Sequence, residues 1–199
     1  VEAKDLVLSI IGRIGADGIH GATFSSEELH EGSPSTAVQI GDPITQKRMF
    51  DFLLCARDEG LYSAITDNGA GGLSSSVGEM ATACGGCDLD LSRAPLKYEG
   101  LAAWEILVSE AQERMTLAVP PADLPALMEL AKRYAVEATD LGVFTDDGWF
   151  RVQDQGSTVA LLDMDFLHDG LPPMELEARW SPPVSEALSF SSEADGAAL

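Results

Sequence analysis

The chain has 199 residues, enough for one domain with a substantial core and too many for a peptide-like module. Twelve Lys and Arg stand against thirty-three Asp and Glu, a net charge of −21 that repels nucleic acid and anionic lipid and argues against a nucleic-acid binder. No apolar run approaches the ~20 residues of a membrane span, and the start VEAKD lacks a signal pattern, so a soluble, cytoplasmic protein is expected.

The first predicted element is a buried strand, the apolar run Leu6 to Ile11. It opens directly into Gly12 to Ser26, GRIGADGIHGATFSS, with glycines at 12, 15, 18 and 21. Side chains at those points would block close approach, so this backbone is a candidate anion-binding loop, with Gly12, Gly15, Gly18 and Gly21 as its phosphate-contacting positions. A mobile surface loop is the competing reading.

Glu27 to Ala37 is rich in Glu, Ser and Pro, and Gln39 follows in VQIGDP. Asp42 can cap, and Pro43 open, a helix that runs to about Glu59, with Ile44, Met49, Phe52, Leu53 and Ala56 on one stripe and Gly60 as its stop. Leu61 to Ile65 is a second strand, ending in Thr66-Asp67-Asn68-Gly69-Ala70-Gly71-Gly72-Leu73, and a helix is predicted from there to about Ala83. A strand, a glycine turn and a helix N-terminus together frame free N–H groups, and Asp67 stands at the strand's exit.

The pair Cys84 and Cys87 has CxxC spacing and reads as a redox pair, half a zinc site, or two incidental thiols. No second CxxC or paired His completes four ligands, and the odd count of three cysteines suits a reducing compartment, which favours incidental thiols. Cys87 to Leu91 alternates as a strand, Ala102 to Leu107 is a short helix, and Ser109 to Arg114 leads into the strand Met115 to Val119. Arg114 reads as a structural ion-pair partner of Glu113 or a nearby acid in preference to a ligand contact. Ala122 to Tyr134 is a helix with neither Gly nor Asn as its stop, and Val136 to Phe144 is a strand. Thr145 to Gly148 carries the Asp-Gly hairpin signal, and Phe150 to Val152 with Thr158 to Leu162 forms a closing antiparallel ribbon.

Pro172-Pro173 and Pro182-Pro183 interrupt regular structure, so residues 1–165 are expected to be the domain and 166–199 a linker or partly ordered tail. The fold class is α+β, with about seven strands and four helices in layers. Because Val1 is not Met and a strand pattern begins within five residues, an excised piece of a longer chain is expected.

Four segments in order, GRIGADGIHGATFSS, VQIGDP, TDNGAGGL and SEAQERM, resemble the C-terminal half of the repeat unit in the aminoimidazole ribonucleotide synthase superfamily, and more closely formylglycinamidine ribonucleotide synthases. The resemblance implies a layered α/β domain with a partly ferredoxin-like sheet. It implies an ATP-driven ligase of purine biosynthesis, in which ATP phosphorylates the amide oxygen of formylglycinamide ribonucleotide and ammonia displaces that phosphate. It also implies Asp67 as a Mg²⁺ ligand, and Gln39 with Glu110, Ala111 and Gln112 as substrate contacts. ATP is the co-substrate, and no residue here is assigned as catalytic.

From chemistry alone Asp67 is equally a cap or turn aspartate, and Gln39 a surface amide before a cap. The chain departs from the pattern at Thr66 for Gln, at Ala111 for Ser, and at Ile11, Ile14 and Ala16 for Gly, Thr and Arg. His20 has no partner at a recognisable spacing and reads as a loop histidine. The family's catalytic histidine and most ATP contacts belong to a preceding N-terminal ATP-binding domain that these residues do not match, and a glutaminase domain or subunit must supply ammonia. Such a chain alone is expected to be inactive, and a homodimer is possible. The competing readings are another enzyme of the superfamily (aminoimidazole ribonucleotide synthase, selenophosphate synthetase or thiamine-phosphate kinase) and a non-catalytic nucleotide-binding or structural module.

Overall fold

A computed structural model of the chain describes residues 1–20 and 41–181. Gly21, Gln39, His30 and the segment 27–37 lie outside the described residues. Seven strands form one sheet: β1 Leu6–Ile10, β2 Ala64–Asp67, β3 Gly86–Asp90, β4 Met115–Val119, β5 Ala138–Thr145, β6 Trp149–Asp154 and β7 Ser157–Asp163, in the order β2-β4-β1-β5-β3-β6-β7. Neighbours are antiparallel except β3 and β6, which are parallel.

Among the described residues five α-helices accompany the sheet: α1 Pro43–Asp58, α2 Gly72–Ala81, α3 Ala103–Val108, α4 Leu124–Tyr134 and α5 Met164–Asp169. No helix among the described residues is long and apolar enough to cross a membrane.

Both faces of β1 are covered, which is why its sequence is apolar except at the buried Ser9. Leu8 and Ile10, with Leu117 and Val119 of β4, pack under Met49, Phe52, Leu53 and Ala56 of α1 and Leu127, Leu130 and Ala131 of α4. Val7, Ala118, Leu141, Phe144, Cys87, Leu89, Phe150 and Val152 face the other way, under Leu73, Val77 and Met80 of α2, Ile106 of α3 and Met164 of α5. The sheet is thus the middle layer between two helical layers, and the expected α+β class holds. At the head of α1 the Asp42 carboxylate accepts from the Ile44 N–H at 3.1 Å, with Pro43 as the first helical residue. The C-terminus of α4 ends on Ala135 in the left-handed region, φ 54°, a place glycine usually takes.

The Asp-Gly signal at 147–148 does turn the chain, but it makes no hairpin. β5 and β6 are not neighbours, because β3 lies between them, antiparallel to one and parallel to the other. Asp147 accepts from Thr145 Oγ1 at 2.9 Å and from Trp149 N–H at 3.3 Å, while Gly148 N–H reaches back to the Gly85 carbonyl at 2.9 Å. A Cβ on Gly86 would come within 2.6 Å of Thr145 Oγ1, so a bare backbone there lets β3 enter beneath the turn. The β6–β7 ribbon is antiparallel, as the sequence suggests.

α5 is an addition to the four expected helices. Asp163 Oδ1 accepts from Phe166 N–H at 2.9 Å at its start, and His168 Nε2 meets the Gly78 carbonyl of α2 at 3.1 Å. Beyond it, residues 170–181 have neither helix nor strand and are exposed.

Candidate functional site

Strand direction decides where the motifs meet. β1 and β2 both run antiparallel to the β4 that lies between them, and Ile10 and Asp67 both register with Met115. The segment after β1, the turn after β2 and the segment before β4 therefore share one end of the sheet. Residues 12–17, 67–72 and 109–114 converge there.

Hydrogen bonds tie the three together. Ser109 Oγ donates to the Gly15 carbonyl at 2.7 Å, and Glu110 N–H donates to the Asp17 carbonyl at 2.8 Å. Gly71 N–H donates to Glu110 Oε1 at 3.4 Å. α2 has no side-chain cap at Gly71, so the buried Glu110 carboxylate supplies negative charge at that helix N-terminus from another loop.

The glycines are used for close approach. A Cβ on Gly12, φ 67°, would meet Arg114 Cγ at 2.5 Å, and one on Gly15 would meet Asp17 Oδ2 at 2.6 Å. Gly18 is also left-handed, with φ 66°. Ile14 N–H donates to the Pro95 carbonyl and Ala16 N–H to Tyr98 Oη, both at 2.8 Å, so these two N–H groups already have protein partners. Ile14 is fully buried and is part of the core, which accounts for an apolar residue where the family pattern has Thr.

Asp67 is exposed at the end of β2, and its Oδ1 accepts from Gly69 N–H at 2.8 Å. It is a turn aspartate and not the cap of α2. It faces a cleft of about 300 Å³ lined by Gln46, Met49, Asp67, Asn68, Gly69 and residues 111–115. Ala111 is buried, with its N–H bonded to Ser109 Oγ at 3.3 Å, and Gln112 Nε2 donates to the Glu110 carbonyl at 3.4 Å. Of the expected site residues in the described chain, Asp67, Ala111 and Gln112 line the cleft, while Glu110, Gly12, Gly15 and Gly18 do not.

Arg114 corrects the sequence reading. Glu113 is not its partner, since Glu113 Oε1 accepts from Asp42 N–H at 3.0 Å. The guanidinium is buried, Nη1 donates to the Ser109 carbonyl at 2.9 Å, and Nε and Nη2 have no partner. Burial pushes its pKa down to about 10 against the pull of Asp17, so it stays charged at neutral pH. Asn68, directly opposite, is also missed by sequence reading: Oδ1 accepts from Ser76 Oγ at 2.8 Å and Thr116 Oγ1 at 3.1 Å, and the buried Nδ2 has no partner. The one signal that pointed to these two was position, at the mouths of strands flanking a glycine turn.

The CxxC pair does not form a site. Cys84 and Cys87 are both free thiols, and burial pushes Cys87 up to about 12. Among the described residues no group of three or more His, Cys, Asp or Glu could hold a metal. His20 is exposed on its loop.

Residues 5–155 match the family described as AIR synthase related protein, C-terminal domain. The chain belongs to this family. Within it, the chain is 41% identical over 177 residues to the phosphoribosylformylglycinamidine synthase subunit PurL of Methanopyrus kandleri, covering 87% of this chain and 24% of that one. It is 36% identical over 191 residues to the PurL of Thermomicrobium roseum, covering 96% and 26%. Thermotoga maritima PurL complexed with FGAR superposes with a TM-score of 0.81 at 28% identity, covering 94% of this chain and 31% of that one. The likeness to Escherichia coli HypE, TM-score 0.57 at 22% identity, shows the fold alone. This AIR synthase-related domain thus spans about a quarter of the length of the curated relatives it matches.

Proposed function

We propose that the chain is the C-terminal half of a synthetase repeat in a phosphoribosylformylglycinamidine synthase. It contributes substrate and Mg²⁺ contacts to the ATP-dependent amidation of formylglycinamide ribonucleotide. The observation that carries this reading is the convergence of the 12–17, 67–72 and 109–114 segments at one cleft, in a chain whose similar structures include PurL complexed with FGAR and with ATP.

In this reading the chain binds and orients, and the bond-making groups come from elsewhere in the longer protein. Gln112 and the backbone of 110–113 hold the amide-bearing substrate at the cleft, helped by Gln39. Asp67 supplies one carboxylate. Mg²⁺ takes one or two carboxylates, keeps several waters and completes its shell on phosphates, so a single aspartate fits a partial Mg²⁺ site where the described residues form no closed protein cage. Bound there, the ion would neutralise phosphate charge. Ammonia comes from a glutaminase domain or subunit, and ATP is held chiefly by a preceding domain, in a cytoplasmic enzyme.

The test is complementation. The 199-residue chain given ATP, Mg²⁺, ammonia and formylglycinamide ribonucleotide should release no ADP, and the same chain joined to its upstream ATP-binding domain should do so. Turnover by the chain alone at an ordinary enzymatic rate, of order 1 per second or more, would overturn the division of labour.

A further inference from the structure

β2 is the edge strand of the sheet and only four residues long, with Ile65 and Asp67 exposed and Ala64 and Thr66 half-buried. Such a strand has little apolar side chain to hold its register, and a slip of one residue would turn Asp67 to the opposite face. Glycines follow at 69, 71 and 72, so the turn beyond starts on permissive backbone. Between Leu61 and Gly72 only Asn68 is buried, with 2% of its surface exposed.

Asn68 Oδ1 accepts from Ser76 Oγ of α2 at 2.8 Å and from Thr116 Oγ1 of β4 at 3.1 Å, and the two hydroxyls lie 3.0 Å apart. Thr116 registers with Thr66 on one side and Ser9 on the other, so this polar group lies on the face of the sheet that α2 covers. Side chains alternate along a strand. With Asn68 fixed on the α2 face, Asp67 must point to the other, where its register partner Met115 packs with the α1 side of the core and the cleft opens. An apolar residue would suit the burial at least as well, since Asn68 Nδ2 has no partner. What the amide adds is direction, because hydroxyls on two different elements fix where its oxygen sits. We propose that Asn68 is a positioning residue: its buried amide, held by Ser76 and Thr116, sets the register at the end of β2 and so aims the Asp67 carboxylate into the cleft. The inference rests on the reading of Asp67 as the carboxylate that meets Mg²⁺.

The test uses the full-length protein carrying Asn68→Leu, Ser76→Ala, or Asn68→Leu, Ser76→Ala and Thr116→Val combined, which makes the whole group apolar. Each is followed by thermal melting, by hydrogen exchange of the 64–72 backbone read by mass spectrometry, and by the Mg²⁺ concentration that gives half-maximal activity. Asn68→Leu should melt lower, speed exchange across 64–72 by about tenfold, and raise the Mg²⁺ requirement by about tenfold or more. Ser76→Ala leaves Thr116 as a partner and should move both by less. The combined variant removes the hydroxyls along with their acceptor, so Tm should return towards wild type while exchange and Mg²⁺ requirement stay shifted.

Unchanged exchange and Mg²⁺ dependence in Asn68→Leu would overturn the proposal. So would a combined variant that recovers both along with Tm, since packing alone would then explain the group. If Asn68→Leu does not fold, the combined variant and Ser76→Ala decide. Faster exchange in Asn68→Leu, with a Mg²⁺ requirement that neither it nor Asp67→Asn moves, would count against Asp67 as the metal ligand and leave the positioning by Asn68 standing.

Discussion

Gly72 and Ser109 are packed so closely that a Cβ on Gly72 would lie 2.2 Å from the Ser109 carbonyl oxygen. The first residue of α2 is thereby pressed onto the segment that leads into β4. The same carbonyl accepts from Arg114, so this contact also sets where the guanidinium sits.

Replacing Gly72 with Ala should destabilise the fold. Its φ of 55° is left-handed and the obstructing atom is backbone, so neither strain nor overlap can be relieved by a rotamer change. Left-handed strain and overpacking together predict a loss of roughly 2–4 kcal/mol. Thermal melting should show Tm lower by about 5–15 °C. A Tm within 2 °C or so of wild type would mean that α2 slides freely over the 109 segment.

Cys87 should be chemically silent in the folded chain. Burial among apolar residues raises its thiol to about 12, and Asp88 nearby adds to the shift, so almost no thiolate exists at pH 8. A disulfide-exchange reagent should label it only on unfolding. The linkage sign follows from the raised folded-state value. Below the ordinary thiol pKa of 9.0 both states are protonated and the contribution is intact, whereas between there and about 12 the unfolded chain releases a proton that the folded chain keeps. Stability from this thiol therefore falls as pH rises through that window. Cys87→Ser or Cys87→Ala should flatten the alkaline limb of a denaturation curve recorded above pH 9; an unchanged limb would assign the loss to other groups.

How much of this was legible in the sequence depends on the range of each signal. The apolar run of β1, the Asp42-Pro43 start of α1 and the β6–β7 ribbon are written in adjacent residues, and they stand as read. The insertion of β3 between β5 and β6 was not legible, because Thr145 to Gly148 encodes a turn and says nothing of a third strand passing under it. Arg114 beside Glu113 reads as an ion-pair partner of that residue or a nearby acid. Its burial follows from Gly12 and Ser109, residues distant in sequence that only the sheet brings to it. The same register places Asp67 beside residues 111–115, so the cleft is a product of strand order more than of any one motif.

Asp67→Asn separates a metal ligand from a turn aspartate. The Asn side-chain carbonyl can still accept from Gly69 N–H, which now lies 2.8 Å from Asp67 Oδ1, so the turn into α2 should persist. α2 gains no cap from Asp67, its N-cap being Gly71 without a side-chain bond, so helix stability should be indifferent to the change. What is lost is the negative charge that a hard cation requires. In the full-length protein, activity measured against Mg²⁺ concentration should shift to higher Mg²⁺, while the melting curve stays where it was. An unchanged Mg²⁺ dependence, or a large fall in Tm in place of the shift, would make Asp67 a structural residue of the turn and remove the one carboxylate through which this chain is proposed to meet the metal.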